Sequence, residues 1–444
     1  MKNVIQKVEV RDWERRSMSL KKGTLSWYMV TAIGVSIVIA GQFSGWNFGL
    51  EYGWSNMCIA FAIMFMFYLG FTQCISELAA AWPNAGGLSS FVRRAFGHLA
   101  GSFSGITIGL ALISCAGVVA TFIVGYASSL FTMNESLIKL ILFVFVVAIS
   151  LRGAKDLVSI TLIVGAIAVA TLFIFSGGVA PSFNADNLEI SNMPISLVGI
   201  AAAIPFALWM FVGIEHTVSC SEETKNPAKD VPKGLTLGLL ILASTATCLL
   251  LAAPGAVGTS QLTSVLDPLL AGIATEQVVL KNIVTFGVLL GLLAGFFSIV
   301  YSASRQLFDV AREGVIPSVI AKVNQSGTPV YSVLFVAIAG FGISLLDPER
   351  VMLGVVVMFT FTYVLTSAAF IYLRRSQAHV ERPYKAIGGV YLGYVMLIAS
   401  SLLFVTAFKF DLVVLGPFLI LMVCMGSQYF SKMMSVKKTH TLAK

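Results

Sequence analysis

Twelve mostly apolar runs follow one another along this chain, most of them close to the 20 or so residues a helix needs to cross a bilayer. They lie at Trp27–Gly49, Met57–Ile75, Ser102–Leu130, Leu137–Leu151, Leu157–Gly178, Leu197–Cys220, Leu235–Gly255, Val278–Ser302, Val330–Leu346, Val351–Leu373, Ala386–Phe408 and Leu412–Phe430. Of the 444 residues 57% are hydrophobic and 11% charged, against about 25% charged in a soluble domain. In hydrocarbon every backbone N–H and C=O must be paired inside the protein, which leaves helices or a closed barrel. Runs of this length select helices, so the sequence predicts an all-α polytopic membrane protein with 12 transmembrane helices.

The formal charge of +8 does not point to nucleic acid, because the basic residues sit in short segments between the apolar runs. Of the 29 Lys and Arg, only Lys139, Lys281, Arg350 and Lys409 fall on the side opposite the N-terminus. Basic loops stay cytoplasmic, so both termini are expected in the cytoplasm and the chain in the cell inner (plasma) membrane. The basic N-terminal stretch lacks the cleavage pattern of a secretory signal, so the first span is expected to be retained. Six scattered cysteines and four dispersed histidines show no metal-ligand spacing.

One stretch stands apart, SLVGIAAAIPFALWMFVGIEHTVSCSEETKNPAKDVPKG over residues 196–234. Its apolar part could cross a membrane, yet it holds Pro205, Gly213 and Glu215. The first span is comparably interrupted by IAGQFSGWNFG over residues 39–49. Interrupted helices at corresponding positions of two halves are the sequence pointer to a midplane transport site. The expected organisation is a tail at 1–26, a first half at 27–178 (spans one to five), an outer loop and second half at 179–373 (spans six to ten), spans eleven and twelve at 374–430 as scaffold or homo-oligomer surface, and a tail at 431–444. An odd number of spans per half inverts the second half relative to the first.

Four segments then match something known: SELAAAWPNAGGLSSFVRRAFG at 76–97, GIE with EETKNP and DVPK at 213–233, ASRQLFDVAREGVIP at 303–317, and RPYKAIG at 382–388. In order and spacing they resemble the signature loops of the amino acid–polyamine–organocation permeases, over nearly the whole chain. The resemblance implies a LeuT-type 5+5 inverted repeat with two additional C-terminal helices, and alternating access. Within that family GQFSGWNFGL at 41–50 looks most like the ethanolamine permease branch. The wider family usually has Gly-Ser-Gly there, where this chain has Gly45-Trp46-Asn47.

The candidate substrate site comprises Gly41, Gln42, Ser44, Gly45, Trp46, Asn47, Phe206, Trp209 and Gly213. Breaking a helix frees carbonyl ends that suit an ammonium and N–H ends that suit a carboxylate or hydroxyl. The glycines either expose that backbone or let helices pack closely. Trp209 lies six residues before Glu215; in a relative that exchanges arginine and agmatine, the tryptophan at that spacing stacks on substrate, so Trp209 inherits the role by position. Trp46 reads as a gate aromatic or a packing residue, and Asn47 as a partner for a substrate hydroxyl. Glu215, a carboxylate at membrane depth, is a functional candidate by its cost alone: it contacts substrate, titrates to couple or gate the cycle, or holds the geometry of the break. Glu222-Glu223 and Arg312-Glu313 are expected in cytoplasmic ion pairs, and PNAGG at 83–87 as a re-entrant or tight turn that shapes the inner mouth. No Lys-Ser/Thr follows those glycines, which excludes a phosphate-binding loop.

Coupling stays open between uniport, exchange, protons and sodium. The span-five lysine of some proton-coupled relatives has no counterpart in TLIVGA at 161–166. Ser298, Ser302 and Ser304 could ligate sodium or bond back to their own helix. No cofactor or metal is expected. The functional expectation is a permease importing a small amine, ethanolamine first, with an amino acid permease of the same superfamily as the alternative. A membrane enzyme would need a cluster of acids or histidines that the outer loops, with isolated Asp186, Glu189 and Asp267, do not offer.

Overall fold

The computed structural model describes residues 23–408, apart from 24, 85, 131, 153–156, 190–192, 315 and 325–327, together with residue 416. Its helices are α1 (Trp27–Val38), α2 (Ala40–Phe43), α3 (Trp54–Ala81), α4 (Gly87–Phe96), α5 (His98–Ala127), α6 (Glu135–Arg152) and α7 (Leu157–Val179). They continue with α8 (Leu197–Trp209), α9 (Pro227–Val257), α10 (Pro268–Ala271), α11 (Val278–Arg312), α12 (Val330–Ile343), α13 (Pro348–Ser376) and α14 (Gly389–Ala407). Single-turn and longer 3-10 segments join several of them, notably Trp46–Tyr52 and Ile214–Glu223. Pairing of extended backbone among the described residues is confined to two isolated bridges.

Among the described residues, eight helical segments are long and apolar enough to cross a membrane. One of them joins α8 to the 3-10 segment that follows it. The fourth expected span is α6, 18 residues carrying Glu135, Lys139 and Arg152. Spans one and nine contribute the shorter apolar helices α1 and α12. Span twelve, expected over 412–430, lies outside the described residues except for residue 416.

Several helices run past the apolar limits: α9 begins at Pro227 rather than Leu235, and α11 continues to Arg312 rather than Ser302. The helical backbone keeps its hydrogen bonds beyond the hydrocarbon, where long basic side chains reach the polar layer. In the most apolar stretch of α5, 89% of residues are buried, against 28% in α14. The first is thus the central post of the bundle and the second a peripheral helix. α5 packs along α11 and α13, while α1 packs on α9 and α7.

Of the three residues that marked the second interruption, Gly213 and not Pro205 makes the break. Pro205 lies inside α8, which continues to Trp209. A proline costs a helix the bond to the carbonyl four residues back but keeps a helical φ. The chain turns at Gly213, whose φ of +110° is the left-handed conformation that favours glycine.

Candidate functional site

The two interruptions face each other. In the first span the chain leaves α2 at Ser44 with extended backbone and turns at Gly45 with φ +97° before the 3-10 segment Trp46–Tyr52. A Cβ built on Gly45 would stand 2.8 Å from Trp209 Nε1, and one on Gly41 2.5 Å from the Trp209 carbonyl oxygen. On the other side a Cβ on Gly213 would meet Ile37 of α1 at 2.9 Å. These glycines therefore let the two interrupted spans pack closely.

Trp209 joins the two breaks. Its Nε1 donates to the carbonyl of Ser44 at 3.1 Å, pairing a backbone group that the first break releases. Phe122 of α5 meets its ring edge-on at 6.4 Å. Between the breaks lies a cavity of about 20 Å³, room for about one water. It is lined by Trp209, Gly41, Gly213, Ile37, Val38, Ala40 and Val212, and by Leu112, Cys115 and Val119 of α5, Ile299 of α11 and Phe359 of α13. No charged side chain reaches it among the lining residues.

Glu215 is fully buried and held from two directions. The backbone N–H of Gly213 donates to Oε2 at 3.0 Å, and Tyr363 of α13 donates its hydroxyl hydrogen to Oε1 at 2.6 Å. The Tyr363 oxygen is in turn 2.8 Å from the hydroxyl of Tyr68 on α3. Among the described residues no basic side chain forms an ion pair with Glu215. A hydrogen-bonded chain thus runs from α3 through α13 to the second break.

Other expected site residues hold the breaks in place in this conformation. Asn47 Nδ2 donates to the carbonyls of Leu262 at 2.7 Å and Val265 at 2.9 Å, while its Oδ1 accepts from Gly45 N at 3.0 Å. Ser44 Oγ donates to the Leu266 carbonyl. Tyr126 of α5 donates to the Phe43 carbonyl at 2.8 Å and accepts from Leu269 N at 3.3 Å. The loop between α9 and α11 therefore lies latched over the first break. Gln42 reaches the other way: its Nε2 donates to the carbonyls of Leu242 at 2.9 Å and Met210 at 3.4 Å, and its Oε1 accepts from Thr245 at 2.6 Å. Trp46 is fully buried with its indole N–H unpaired. Phe206 packs on the rings of Phe48 and Tyr52, at 6.3 and 6.1 Å, beside the cavity rather than in its wall.

At the basic end of the bundle, Leu25 N donates to the Glu223 carbonyl at 3.0 Å, and Lys225 N to the Leu25 carbonyl at 2.8 Å, joining the start of the first span to the end of the sixth. Asn84 docks there, its backbone N–H donating to Ser221 Oγ at 3.1 Å. Glu313 pairs not with its neighbour Arg312 but with Arg93 of α4 at 2.7 Å. Ser298 and Ser304 donate to carbonyls of their own helix, Ala294 at 2.9 Å and Tyr301 at 2.8 Å.

Of the residues expected to contact substrate, Gly41, Trp209 and Gly213 line the cavity. Sequence reasoning missed Tyr363, Tyr126 and the lining residues from α5, α11 and α13. The tyrosines carried a signal, since a buried Tyr hydroxyl normally needs a partner. The aliphatic lining carried none, being indistinguishable from core.

Two broken helices facing each other across a small buried cavity, inside a bundle of membrane-spanning helices, are the arrangement of a membrane transporter. The chain belongs to the amino acid permease family of the amino acid–polyamine–organocation superfamily, whose family profile matches residues 24–427. It is a permease and not an enzyme. It is similar to the branched-chain amino acid permease BcaP of Bacillus subtilis (strain 168), with 24% identity over 88% of this chain and 90% of that one. It also resembles cationic amino acid transporter 6, chloroplastic, of Arabidopsis thaliana (22% identity; 82% and 68%) and the methylthioribose transporter of Bacillus subtilis (strain 168) (22% identity; 85% and 87%).

Proposed function

We propose that this permease carries a neutral amino acid with an apolar side chain. The observation that carries the reading is the lining of the cavity between the breaks: Leu112, Val119, Cys115 and Ile299 offer an aliphatic wall and no carboxylate. In a widened form of this cavity, which here has room for about one water, a cationic side chain would lose its hydration without a partner. The substrate ammonium would take the carbonyl ends of α2 and α8, its carboxylate the N–H groups of the following 3-10 segments. The branched-chain permease among the relatives supports this choice.

Ethanolamine, expected first from the likeness of GQFSGWNFGL at 41–50, loses the contact expected for its hydroxyl. The Asn47 amide that was to meet the substrate hydroxyl is committed to Leu262, Val265 and Gly45 in this conformation, and none of the relatives compared carries ethanolamine in its name.

In this reading residues 27–178 and 179–373 are inverted five-span halves, 374–430 adds spans eleven and twelve, and both tails, 1–26 and 431–444, are cytoplasmic at the plasma membrane. Trp209 contacts substrate and Glu215 gates or couples the cycle. The test is uptake of labelled leucine into proteoliposomes. Unlabelled valine, isoleucine and alanine are expected to compete, and equal concentrations of arginine and ethanolamine to leave uptake unchanged. Uptake of ethanolamine that apolar amino acids fail to displace overturns the proposal.

A further inference from the structure

A second concavity lies far from the two breaks, on the flank of the bundle at its basic end. It is an open groove of about 490 Å³. Its wall is apolar and aromatic: Phe96 of α4, Ile371 and Tyr372 of α13, Tyr394 and Leu397 of α14. Phe96 and Tyr372 are 42% and 48% exposed, and their rings lie 5.5 Å apart. Exposed aromatics at the end of a spanning helix mark the water–lipid boundary.

At the mouth stands Arg375, in the last turn of α13, its guanidinium 5.5 Å from the Tyr394 ring. Its neighbour Arg374 is committed to Glu77 at 2.6 Å, whereas no carboxylate among the described residues pairs with Arg375. Arg94 stands at the same end of the bundle, over the Trp82 ring at 4.5 Å. An apolar slot ending in an uncompensated cation has the charge pattern of a phospholipid with a net negative headgroup. The basic stretch 431–444 is a poor rival occupant for the mouth: it holds Lys432, Lys437, Lys438 and Lys444 and no acid.

We propose that this groove is a binding site for one anionic phospholipid, its phosphate on Arg375 and an acyl chain along Phe96, Ile371 and Leu397. On the orientation given above the leaflet is the cytoplasmic one, where anionic lipids and basic pockets meet. Binding in detergent does not depend on that orientation or on the substrate.

The probe is palmitoyl-oleoyl phosphatidylglycerol, titrated against the purified full chain in a neutral detergent, with the phosphatidylcholine of the same chains as control. Thermal stability and native mass spectrometry are the readouts. Phosphatidylglycerol is expected to raise the Tm more than phosphatidylcholine and to be retained as one copy per chain. Arg375→Gln should weaken its binding about five-fold and leave the phosphatidylcholine response unchanged, while Arg375→Lys should keep most of it. Equal responses of the wild type to both lipids would overturn the headgroup assignment, and an unchanged phosphatidylglycerol response in Arg375→Gln would overturn the site. Lipid binding that appears only when a dimer dissociates would assign the groove to a second copy instead.

Discussion

Glu215 and Trp209 flank the same break, yet the structure gives them different surroundings. Trp209 presents its ring to the cavity and uses its N–H to satisfy Ser44. Replacing it with Phe removes the hydrogen bond and keeps an aromatic face; replacing it with Ala removes both. An aromatic face over an ammonium contributes about 0.5–2 kcal/mol, so Trp209→Ala is expected to raise the KM for the amino acid several-fold more than Trp209→Phe. Wild-type transport in both variants would remove Trp209 from the site. Glu215 is not among the residues that line the cavity and is held by hydrogen bonds from Gly213 and Tyr363, which suits a group that reports on the position of α13. If it carries the pH dependence of transport, Glu215→Gln should flatten the pH profile of uptake while leaving the protein folded. Tyr363→Phe, which leaves the carboxylate in place, should retain a pH-dependent profile while slowing transport. A profile unchanged in Glu215→Gln would assign the dependence elsewhere.

At the scale of elements, the two interruptions depend on backbone conformations that few residues adopt. Gly213 combines φ +110° with a Cβ position 2.9 Å from Ile37. Gly213→Ala therefore strains the backbone by about 1–3 kcal/mol and pushes α1 away from the second break. The expected result is a lowered Tm and strongly reduced uptake, with leucine binding impaired in thermal-shift titrations. Unimpaired uptake would mean the break tolerates a different geometry. The existence of both breaks was legible in the sequence, because glycines and polar or acidic residues inside an apolar run weaken a continuous helix and carry a cost in hydrocarbon. Which of the marked residues makes the second break was not: Pro205 lies inside α8 and the chain turns at Gly213, since a proline's missing N–H is visible in sequence while a helix's tolerance of it depends on neighbours. The latch over the first break was equally hidden. Asn47 and Ser44 read as free polar groups because their partners are backbone carbonyls of Leu262, Val265 and Leu266, more than 200 residues away.

For the whole molecule, segments that carried the family resemblance turn out to meet around one buried charge. Glu77, from SELAAAW at the end of α3, is almost fully buried and accepts from Arg374 at 2.6 Å, Arg382 at 3.0 Å and the Ala386 backbone N–H at 2.8 Å. Arg382 belongs to the RPYKAIG segment, whose link between α13 and α14 is thereby clamped to the first half of the chain. Arg382 also donates to the Leu373 carbonyl at 2.8 Å, closing the end of α13. The sequence marked these stretches as a signature without indicating that they touch, since Glu77 and Arg382 are 305 residues apart. Removing one member of a buried pair costs about 3–5 kcal/mol, and here somewhat less, because the Arg374 side chain is 23% exposed. Glu77→Gln leaves two guanidinium groups with one neutral acceptor between them, so it should lower the Tm by several degrees and impair uptake mainly through the amount of folded protein. Because Glu77 and Arg382 act on each other, Arg382→Gln in the Glu77→Gln background should cost much less than Arg382→Gln alone. Strict additivity of the two losses in thermal unfolding would show that the clamp is not a coupled unit, and that the two halves are held together elsewhere.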